Sequence, residues 1–493
     1  MNARHITAAF VFAATMASPP HAAAGVETVT TIDGIRYELK KELDGDTTRL
    51  TAHLLPIEPD SHVYRFPEDY DLVIPATVKY EGETYAVVEL KDRYDIRDGT
   101  ILAGALEGEP IASLSLPSTI ERIGDWSLLY LDHLKSVRVD PDNRHFKVVD
   151  GVLYGSDMKK LWLYPRLREG DSFDVPEGVE TLTMQAFSFR LLRHISLPST
   201  LRVIEGDMVE GLHLDGLVLN DGLEYLGDRS LAGLTCDSDI VIPESVTHIG
   251  EACFRYAEGP WNLILPEHIT EIGDSWFEGD RRETVLIQQH IKKMCYKAFW
   301  RSRMKHIELP DGIETIEGSF MDCHNLLEIR LPLALTKLED GTFGGCDNLK
   351  RVTFNKNIRR VNGAFMDCGA ITDFYMLCET PPKLDKEHPL GYRNPEYYPN
   401  RLGQITVHVL EGCGEAYRNS TWAKVGPIVE DLTDGVDDLP ADGPISPTET
   451  CTAYTIQGTV AAEGIPYGEL RQALSPGIYI IRTPSGKTEK IRL

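Results

Sequence analysis

The sequence predicts a β-rich solenoid of about 10–11 coils of 22–23 residues, with a β cap at each end and a small β tail. The first observation is a frame of apolar residues around a proline, as in IVIPESVTHIGEACF and LILPEHITEIGDSWF. The second is its period, which is 22 or 23 residues in nine of ten intervals and 36 in the other. Such a period is typical of repeats that stack around one continuous core. The frame is marked by Pro117, Asp140, Pro176, Pro198, Asn220, Pro243, Pro266, Gln288, Pro310, Pro332 and Asn355.

Two apolar columns precede the mark, three residues and one residue before it, as at Ile240 and Ile242. A spacing of two places both side chains on one face of a strand. Two further apolar columns follow the mark after three and six residues, as at Val246 and Ile249. The exception is the mark at Asp140, whose following residues do not fit. Because a single coil cannot bury its own apolar face, neighbouring coils must cover it.

A phenylalanine column ten or eleven residues after the mark predicts a buried aromatic spine in the turn opposite the strands. A platform for an aromatic ligand is the alternative. Cysteines three residues further on predict a ladder of buried thiols, and disulfide formation between stacked coils stays open. Because the chain has nine cysteines, at least one lacks a partner within it. The spine comprises Phe187, Phe254, Phe277, Phe299, Phe320, Phe343 and Phe365, and the thiol ladder comprises Cys323, Cys346 and Cys368.

Residues 1–24 predict a secretory signal peptide. Arg4 is the only charge before an apolar stretch from Ile6 to Ala17, and small residues follow at Ala22 and Ala24. A membrane anchor is the alternative, but the apolar stretch is too short to cross roughly 30 Å of hydrocarbon. No later window is long enough for a transmembrane span. We therefore expect a secreted protein, at the bacterial cell surface or extracellular.

The segments on either side of the repeat differ from it in pattern. The region before the first mark alternates like short strands, and the 36-residue interval alternates like a hairpin inserted into the repeat. After the repeat, Tyr417 and Trp422 are expected to face the last coil. The predicted boundaries are signal peptide 1–24, N-terminal β cap 25–100, solenoid 101–377 with a hairpin insert at about 141–165, C-terminal cap 378–430, acidic linker 431–448 and β tail 449–493.

Composition and motifs exclude several classes of function. The chain has 50 Lys and Arg against 76 Asp and Glu, a formal charge of −26, so attraction to nucleic acid or to anionic membranes is not expected. It contains no HExxH, GxSxG or Walker motif, and no His/Cys cluster at zinc spacing. We therefore expect no enzyme, no cofactor and no metal site.

One stretch departs from the acidic composition. Residues 281–360 hold 15 Lys and Arg against 10 Asp and Glu, and some of the basic residues fall in register on successive coils. Outward positions on a solenoid form an extended binding face, so the pattern predicts a cationic stripe for an acidic protein or a glycan. The alternative is surface ion pairing with Glu308, Glu314 and Glu328. The predicted stripe comprises Lys292, Lys293, Arg330, Lys337, Arg351, Arg359 and Arg360.

Over roughly residues 26–430 the frame resembles the BspA-like branch of leucine-rich-repeat proteins, whose repeat reads L-x-x-I-x-L-P-x-x-I-x-x-I-G-x-x-A-F-x-x-C. The resemblance implies a right-handed leucine-rich-repeat coil, display at the bacterial surface and adhesion to host macromolecules, without catalytic residues. The terminal segment GIYIIRTPSGKTEKIRL resembles the end of C-terminal sorting domains read by the type IX secretion system. A degenerate copy that no longer acts as a signal is the alternative.

The sequence therefore predicts a secreted or surface-displayed leucine-rich-repeat protein that binds macromolecules in adhesion or host interaction and is not an enzyme. Its partner would be a protein or glycan, on a host or a neighbouring cell. The alternative is a carbohydrate-recognition or nutrient-capture accessory protein. A third hypothesis, an enzyme with its site in the N-terminal cap or in the 140–176 insert, has no supporting residue spacing. The oligomeric state stays open.

Overall fold

A computed structural model describes residues 27–44, 47–56, 66–94, 101–187, 192–206, 212–283, 285–384, 403–433, 450–455, 460–474, 478–482 and 488–492. The chain divides into two compact units, Met1–Gly151 and Val152–Leu493. The predicted signal peptide and residues 434–448 of the predicted linker lie outside the described residues. Each unit is described by itself.

The described part of the first unit consists of β-strands and their connections. The strands are β1 (Glu27–Ile32), β2 (Ile35–Asp44), β3 (Thr47–Leu54), β4 (Tyr70–Val73), β5 (Thr77–Tyr80), β6 (Glu83–Leu90), β7 (Arg93–Tyr94), β8 (Ile101–Ala103), β9 (Ile111–Leu116), β10 (Arg122–Ile123), β11 (Ser136–Val139) and β12 (Phe146–Val149).

Antiparallel and parallel pairing are combined in the first unit. Strands β1, β2 and β3 pair antiparallel, whereas β3 with β6 and β6 with β10 pair parallel. The hairpin of β5 and β6 turns at Glu81 and Gly82, whose φ angles of 50° and 85° suit a type I′ turn. Strands β4, β9 and β11 form a parallel ladder with a repeat-like register. Parallel coil stacking thus begins at β4, within the segment for which the sequence predicted a cap.

The second unit is also built mainly from short strands. These are β13 (Val152–Gly155), β14 (Lys160–Leu163), β15 (Ser172–Asp174), β16 (Thr181–Leu182), β17 (His194–Ser196), β18 (Val203–Ile204), β19 (His213–Leu214), β20 (Tyr225–Leu226), β21 (Thr235–Cys236), β22 (Ile240–Val241), β23 (His248–Ile249), β24 (Leu263–Ile264), β25 (Glu271–Ile272), β26 (Lys293–Met294), β27 (Thr315–Ile316), β28 (Glu328–Arg330), β29 (Lys337–Leu338), β30 (Arg351–Phe354), β31 (Arg360–Val361), β32 (Asp373–Met376), β33 (Lys383–Leu384), β34 (Thr406–Leu410) and β35 (Ile428–Leu432).

The strands of consecutive coils pair parallel and in register. The strand before the mark forms one ladder, in which Ile240 of β22 lies opposite Leu263 of β24. The strand after the mark forms a second ladder, in which Leu182, Ile204 and Leu226 succeed one another. Most side chains of the four apolar columns are fully buried. The predicted β-solenoid is therefore confirmed.

The inserted hairpin and the end of the ladder are both visible in the second unit. Strands β13 and β14 pair antiparallel, with Leu153 opposite Leu163. Strands β28, β30, β32, β34 and β35 form one continuous parallel ladder. The segment 378–430, for which the sequence predicted a cap, therefore contributes two further strands to the solenoid.

Asparagine at the mark has a structural reason. The Asn355 side-chain nitrogen donates to the carbonyl oxygens of Pro332 and Leu335 in the preceding coil, the latter at 3.0 Å. Asn220 donates in the same way to Leu201 at 2.9 Å. In the first unit this bond comes from Asn143, which donates to Ile120 at 3.0 Å, rather than from the mark at Asp140. An insertion after Asp140 therefore shifts the hydrogen-bonding position by three residues.

The phenylalanine column forms a continuous stack inside the second unit. From Phe254 to Phe365 neighbouring ring centres lie 5.0–5.7 Å apart, and the ring planes differ by 5–20°. These rings are at most 1% exposed. Phe187 is also buried, but it packs against Tyr164 and Phe173 rather than within the stack. Buried aromatic pairs in this distance range add stabilisation beyond the area that they bury.

The cysteines of the repeat join consecutive coils by hydrogen bonds. The thiols of Cys323, Cys346 and Cys368 donate to the carbonyl oxygens of the spine residues Phe299, Phe320 and Phe343 of the preceding coils, at 3.0–3.1 Å. All three cysteines are buried and form no disulfide. Each thiol satisfies a buried carbonyl group in a turn where backbone bonding is sparse.

Short helices and a β sheet follow the main ladder. Helix α1 (Gly414–Arg418) and a 3-10 turn (Thr421–Lys424) bury Tyr417 and Trp422, which donate to the carbonyls of Cys378 and Pro382 at 2.8 and 2.7 Å. The tail contains a four-stranded antiparallel sheet with its own small core. Its elements are β36 (Thr450–Thr455), β37 (Val460–Pro466), a 3-10 turn (Tyr467–Glu469), α2 (Leu470–Ala473), β38 (Ile478–Arg482) and β39 (Thr488–Arg492).

Candidate functional site

The outward side of the first ladder carries an aliphatic column. Side chains alternate along a strand, so the residue two before each mark points away from the core. Val218 is 81% exposed and Val241 is 54% exposed. Ile264 lies opposite Val241 on the next strand, and Leu286 follows one coil later; both are half-buried. We call Val218, Val241, Ile264 and Leu286 the outward aliphatic column.

Further along the same outward side the column becomes aromatic and polar. The rings of Tyr375 and His408 stack at 4.7 Å, with planes 10° apart. His408 is held between two carboxylates, with Nε2 at 3.2 Å from Asp373 and Nδ1 at 2.8 Å from Asp431. Burial, and then the charge of Asp373, raise the pKa of Tyr375. This group is therefore a network in which the imidazole already has a partner on each nitrogen.

The structure brings part of the predicted cationic stripe together. Lys337 lies opposite Arg360, and Arg360 lies opposite Lys383 on the next strand. All three side chains are exposed. Lys383 was not part of the prediction, although its position in the column after the mark identifies it. We call Lys337, Arg360 and Lys383 the basic column.

The remaining predicted residues are spread over other coils and have other contacts. Lys293 lies between Glu271 at 3.9 Å and Glu317 at 3.5 Å, two coils before Lys337. Arg359 donates to the carbonyl oxygen of Lys356 at 3.0 Å. Among the residues that the structure describes, Lys292 has no carboxylate within 4.0 Å.

Two arginines of the predicted stripe form ion pairs between coils. Arg330 pairs with Asp311 at 3.6 Å, and Arg351 pairs with Glu328 at 2.6 Å. Hydrogen bonds from His306 and then from Arg351 lower the pKa of Glu328, although burial opposes this. The ion-pairing alternative therefore accounts for these two arginines.

A group of potential metal ligands lies elsewhere on the solenoid. His213, Asp215 and Asp237 are exposed and place one ligand atom each within 4.8 Å of one another. Asp215 is also paired with Arg193, and it lies 3.4 Å from His194. Because a guanidinium already neutralises this carboxylate, we describe the group as an ion-pair cluster and assign no metal to it.

A family model supports the repeat that the geometry shows. The model of the BspA type leucine rich repeat region matches residues 168–280 and 256–372, with six copies. The fold is a leucine-rich-repeat solenoid. The matched residues contain the outward aliphatic column and the spine from Phe187 to Phe365. No curated protein matches the chain.

Solved structures similar to this leucine-rich-repeat solenoid come from bacteria. A leucine rich cell surface protein of Faecalibacterium prausnitzii is 17% identical, with a TM-score of 0.40, covering 71% of this chain and 94% of that chain. The pneumococcal vaccine antigen PcpA is 15% identical, with a TM-score of 0.41, covering 83% and 100%. A leucine-rich repeat protein of Bacteroides ovatus is 20% identical, with a TM-score of 0.31, covering 70% and 94%.

We also searched for membrane-spanning helices. Within the described ranges, no helix has the length and apolar character that crossing a bilayer requires.

Proposed function

We propose that this protein is a secreted, surface-displayed leucine-rich-repeat protein that binds macromolecules in adhesion or host interaction and performs no catalysis. The observation that carries the proposal is the outward aliphatic column. Val218 and Val241 lie one coil apart with most of their side-chain surface in solvent, and Ile264 and Leu286 extend the column. Contiguous exposed apolar surface is characteristic of interaction sites, because it gains free energy when a partner covers it.

The basic column supports the same proposal. Like charges directly opposite one another on neighbouring strands destabilise a sheet. Lys337 forms an ion pair with Glu339 on its own strand end, and Arg360 donates to Asn362 at 2.9 Å. An acidic partner would lower the repulsion within the column while adding charge-assisted hydrogen bonds. The cationic stripe is therefore proposed here in a narrower form, centred on Lys337, Arg360 and Lys383.

Export supports a function outside the cell. The N-terminal 24 residues have the charge and hydropathy pattern of a signal peptide. The family model and the cell surface protein of F. prausnitzii are consistent with a bacterial surface location. The tail at 449–493 is proposed to act as a type IX sorting signal.

The test is an array of extracellular proteins and glycans probed with the whole exported chain. Replacing Val218 and Val241 with Asp should abolish the strongest binding signal, because charges would enter an apolar contact. Val460→Asp is the matched control, since Val460 is 51% exposed on a tail strand. The proposal predicts loss of signal in the double variant and full signal in the control. Equal signals in all three proteins, or no binding to any probe, would contradict it.

Salt dependence tests the contribution of the basic column. Exposed charges are screened over about 8–10 Å near physiological ionic strength, so binding through this column should weaken as salt rises. Replacing Lys337, Arg360 and Lys383 with Ser should weaken binding at low salt and leave little salt dependence. Binding with unchanged salt dependence would remove the basic column from the interaction.

A further inference from the structure

Each turn opposite the strands contains two residues with left-handed backbone. From Arg229 to Asp367 their φ angles lie between 47° and 77°. Gly adopts this region without steric cost and Asp tolerates it, whereas a long side chain is strained there. The first positions are Arg229, Ala252, Ser275, Lys297, Gly318, Gly341 and Gly363, and the second are Gly233, Tyr256, Gly279, Arg301, Asp322, Gly345 and Asp367.

One turn in this series has a long basic side chain at both left-handed positions. Lys297 and Arg301 have φ angles of 57° and 58°. The turns on either side have Ser275 and Gly279, or Gly318 and Asp322, at the same places. The backbone of this turn is therefore more strained than the fold requires, and two like charges lie four residues apart. Strain of this kind is concentrated at functional sites.

The two cations are held on exposed aromatic rings. The Lys297 ammonium lies 4.2 Å from the centre of the Trp300 ring and 5.1 Å from that of Tyr296. The Arg301 guanidinium lies 4.4 Å from the centre of the Trp300 ring. Tyr296 is 50% exposed, and the Arg301 side chain is 62% exposed. We call Tyr296, Lys297, Trp300 and Arg301 the cation–aromatic turn.

One acidic residue adjoins this turn. Asp322 of the next coil accepts a hydrogen bond from Trp300 Nε1 at 2.9 Å and lies 3.9 Å from the Arg301 guanidinium. It therefore fixes the indole ring and leaves Arg301 only a long ion pair. Lys297 has no carboxylate within 4.0 Å in the described part of the chain. Both cations thus keep donors for a ligand.

The surrounding coil is the most basic part of an acidic protein. Residues 281–305 contain eight Lys and Arg and a single acidic residue, Glu283, which gives 8 − 1 = +7 in a chain of −26. Some of these charges are neutralised, since Arg281 pairs with Glu258 and Lys305 with Glu283. Within the described residues Lys292, Lys297 and Arg303 have no such partner. These three lie at intervals along one coil, from the strand to the far side of the turn.

We propose that the cation–aromatic turn binds the sulfate or carboxylate groups of an anionic polysaccharide. The proposal rests on the proposed function and names the ligand class. A linear polyanion matches basic residues spaced along one coil, and basic clusters of this kind bind sulfated polysaccharides. The aromatic ring of Tyr296 offers an apolar face beside the cations for a sugar ring. Bound anions would also offset the repulsion between Lys297 and Arg301.

The experiment measures binding of heparin and of polyglutamate to the whole exported chain. The test variant replaces Lys297 and Arg301 with Gly. The matched control is Arg229→Gly, because Arg229 is also basic and left-handed but lies in another turn. Heparin affinity should fall about tenfold or more in the test variant, as expected for the loss of two charge-assisted contacts, and should stay unchanged in the control. Thermal midpoints should rise in both proteins, because glycine relieves the backbone strain.

Several results would overturn this inference. Unchanged heparin affinity in the test variant would remove the turn from the site. Stronger binding of polyglutamate than of heparin by the wild-type chain would assign the turn to an acidic protein instead. No binding of heparin at low salt would also overturn it, while the array test with the Val218 and Val241 variant would still decide the proposed function separately. A lower thermal midpoint in the test variant would show that Lys297 and Arg301 serve the fold.

Discussion

The thiol of Cys346 donates a hydrogen bond to the carbonyl oxygen of Phe320 in the preceding coil, at 3.1 Å. The bond connects the thiol ladder to the aromatic spine, since Phe320 stacks between Phe299 and Phe343. Burial, and then the neighbouring thiols of Cys323 and Cys368, raise the pKa of Cys346 well above its ordinary value. The thiolate is the reactive form of cysteine, so this residue is chemically protected.

Thiol labelling tests this protection. In the native protein a maleimide should leave Cys323, Cys346 and Cys368 unmodified, whereas Cys413, which is only half-buried, should react. After unfolding all four should react at similar rates. Peptide mapping by mass spectrometry measures each site. Native labelling of Cys346 as fast as that of Cys413, or a disulfide between ladder cysteines in the exported protein, would contradict the ladder geometry.

The spine should contribute strongly to stability. Phe299 stacks on Phe277 at 5.0 Å and on Phe320 at 5.5 Å, and it is fully buried. Phe299→Ala should lower the free energy of unfolding by about 3–5 kcal/mol, because it leaves a cavity between two rings. Phe299→Leu should cost less, since it fills more of that space. Thermal denaturation measures both, and an alanine variant with its midpoint within a degree or two of wild type would refute the assignment.

The first unit should lose stability in acid through one carboxylate. Glu89 lies beside the buried His53 and pairs with Arg122 at 3.2 Å. Burial by itself would raise the pKa of Glu89, but the hydrogen bonds from His53 and Arg122 outweigh it and lower the pKa to about 2. A depressed pKa stabilises the folded state above the unfolded value near 4.5, and this stability is lost as the pH falls towards 2.

Comparison with Glu89→Gln isolates this effect. Hydrogen exchange of the β3 and β6 amides should show wild type more stable than the variant by about 3 kcal/mol at pH 7, which is the shift converted at 1.36 kcal/mol per pKa unit. The difference should shrink between pH 4.5 and 2. Glu68→Gln, at an exposed position, is the control and should change little. A difference that persists undiminished near pH 2 would contradict the linkage.

The repeat period accounts for most of what the sequence predicted correctly. Because apolar residues such as Ile240 and Leu263 recur in fixed columns, the coil boundaries and the buried faces follow from the sequence alone. The strands after Cys378 were not assigned to the ladder, since residues 385–402 interrupt the period between β33 and β34. A spacing argument has no means of bridging an interruption of unknown path.

The surface was harder to predict than the core. Register alone placed Lys337 and Arg360 in one column, but only cross-coil geometry showed that Arg351 is paired with Glu328. The cation–aromatic turn was missed because backbone conformation carries its signal. Lys297 and Arg301 look ordinary in the sequence until their turn positions are found to be left-handed.

The sorting role of the tail gives a separate prediction. Deleting residues 449–493 should trap the protein in the periplasm if this segment is a type IX signal. The small core around Ala453 and Ile481 shows that the tail packs by itself, so its removal should leave the solenoid folded. Immunoblots of cell fractions measure the location. Unchanged surface display after the deletion would make the tail a folded appendage without a sorting role.

The central claim is that the solenoid meets its partners outside the cell. The most direct measurement is protease treatment of intact cells, followed by immunoblotting and by N-terminal sequencing of the untreated protein. The account predicts that the protease removes the protein from intact cells and that the mature chain begins between Ala22 and Val26. A protein that keeps Met1 and is protected until the cells are lysed would contradict the account.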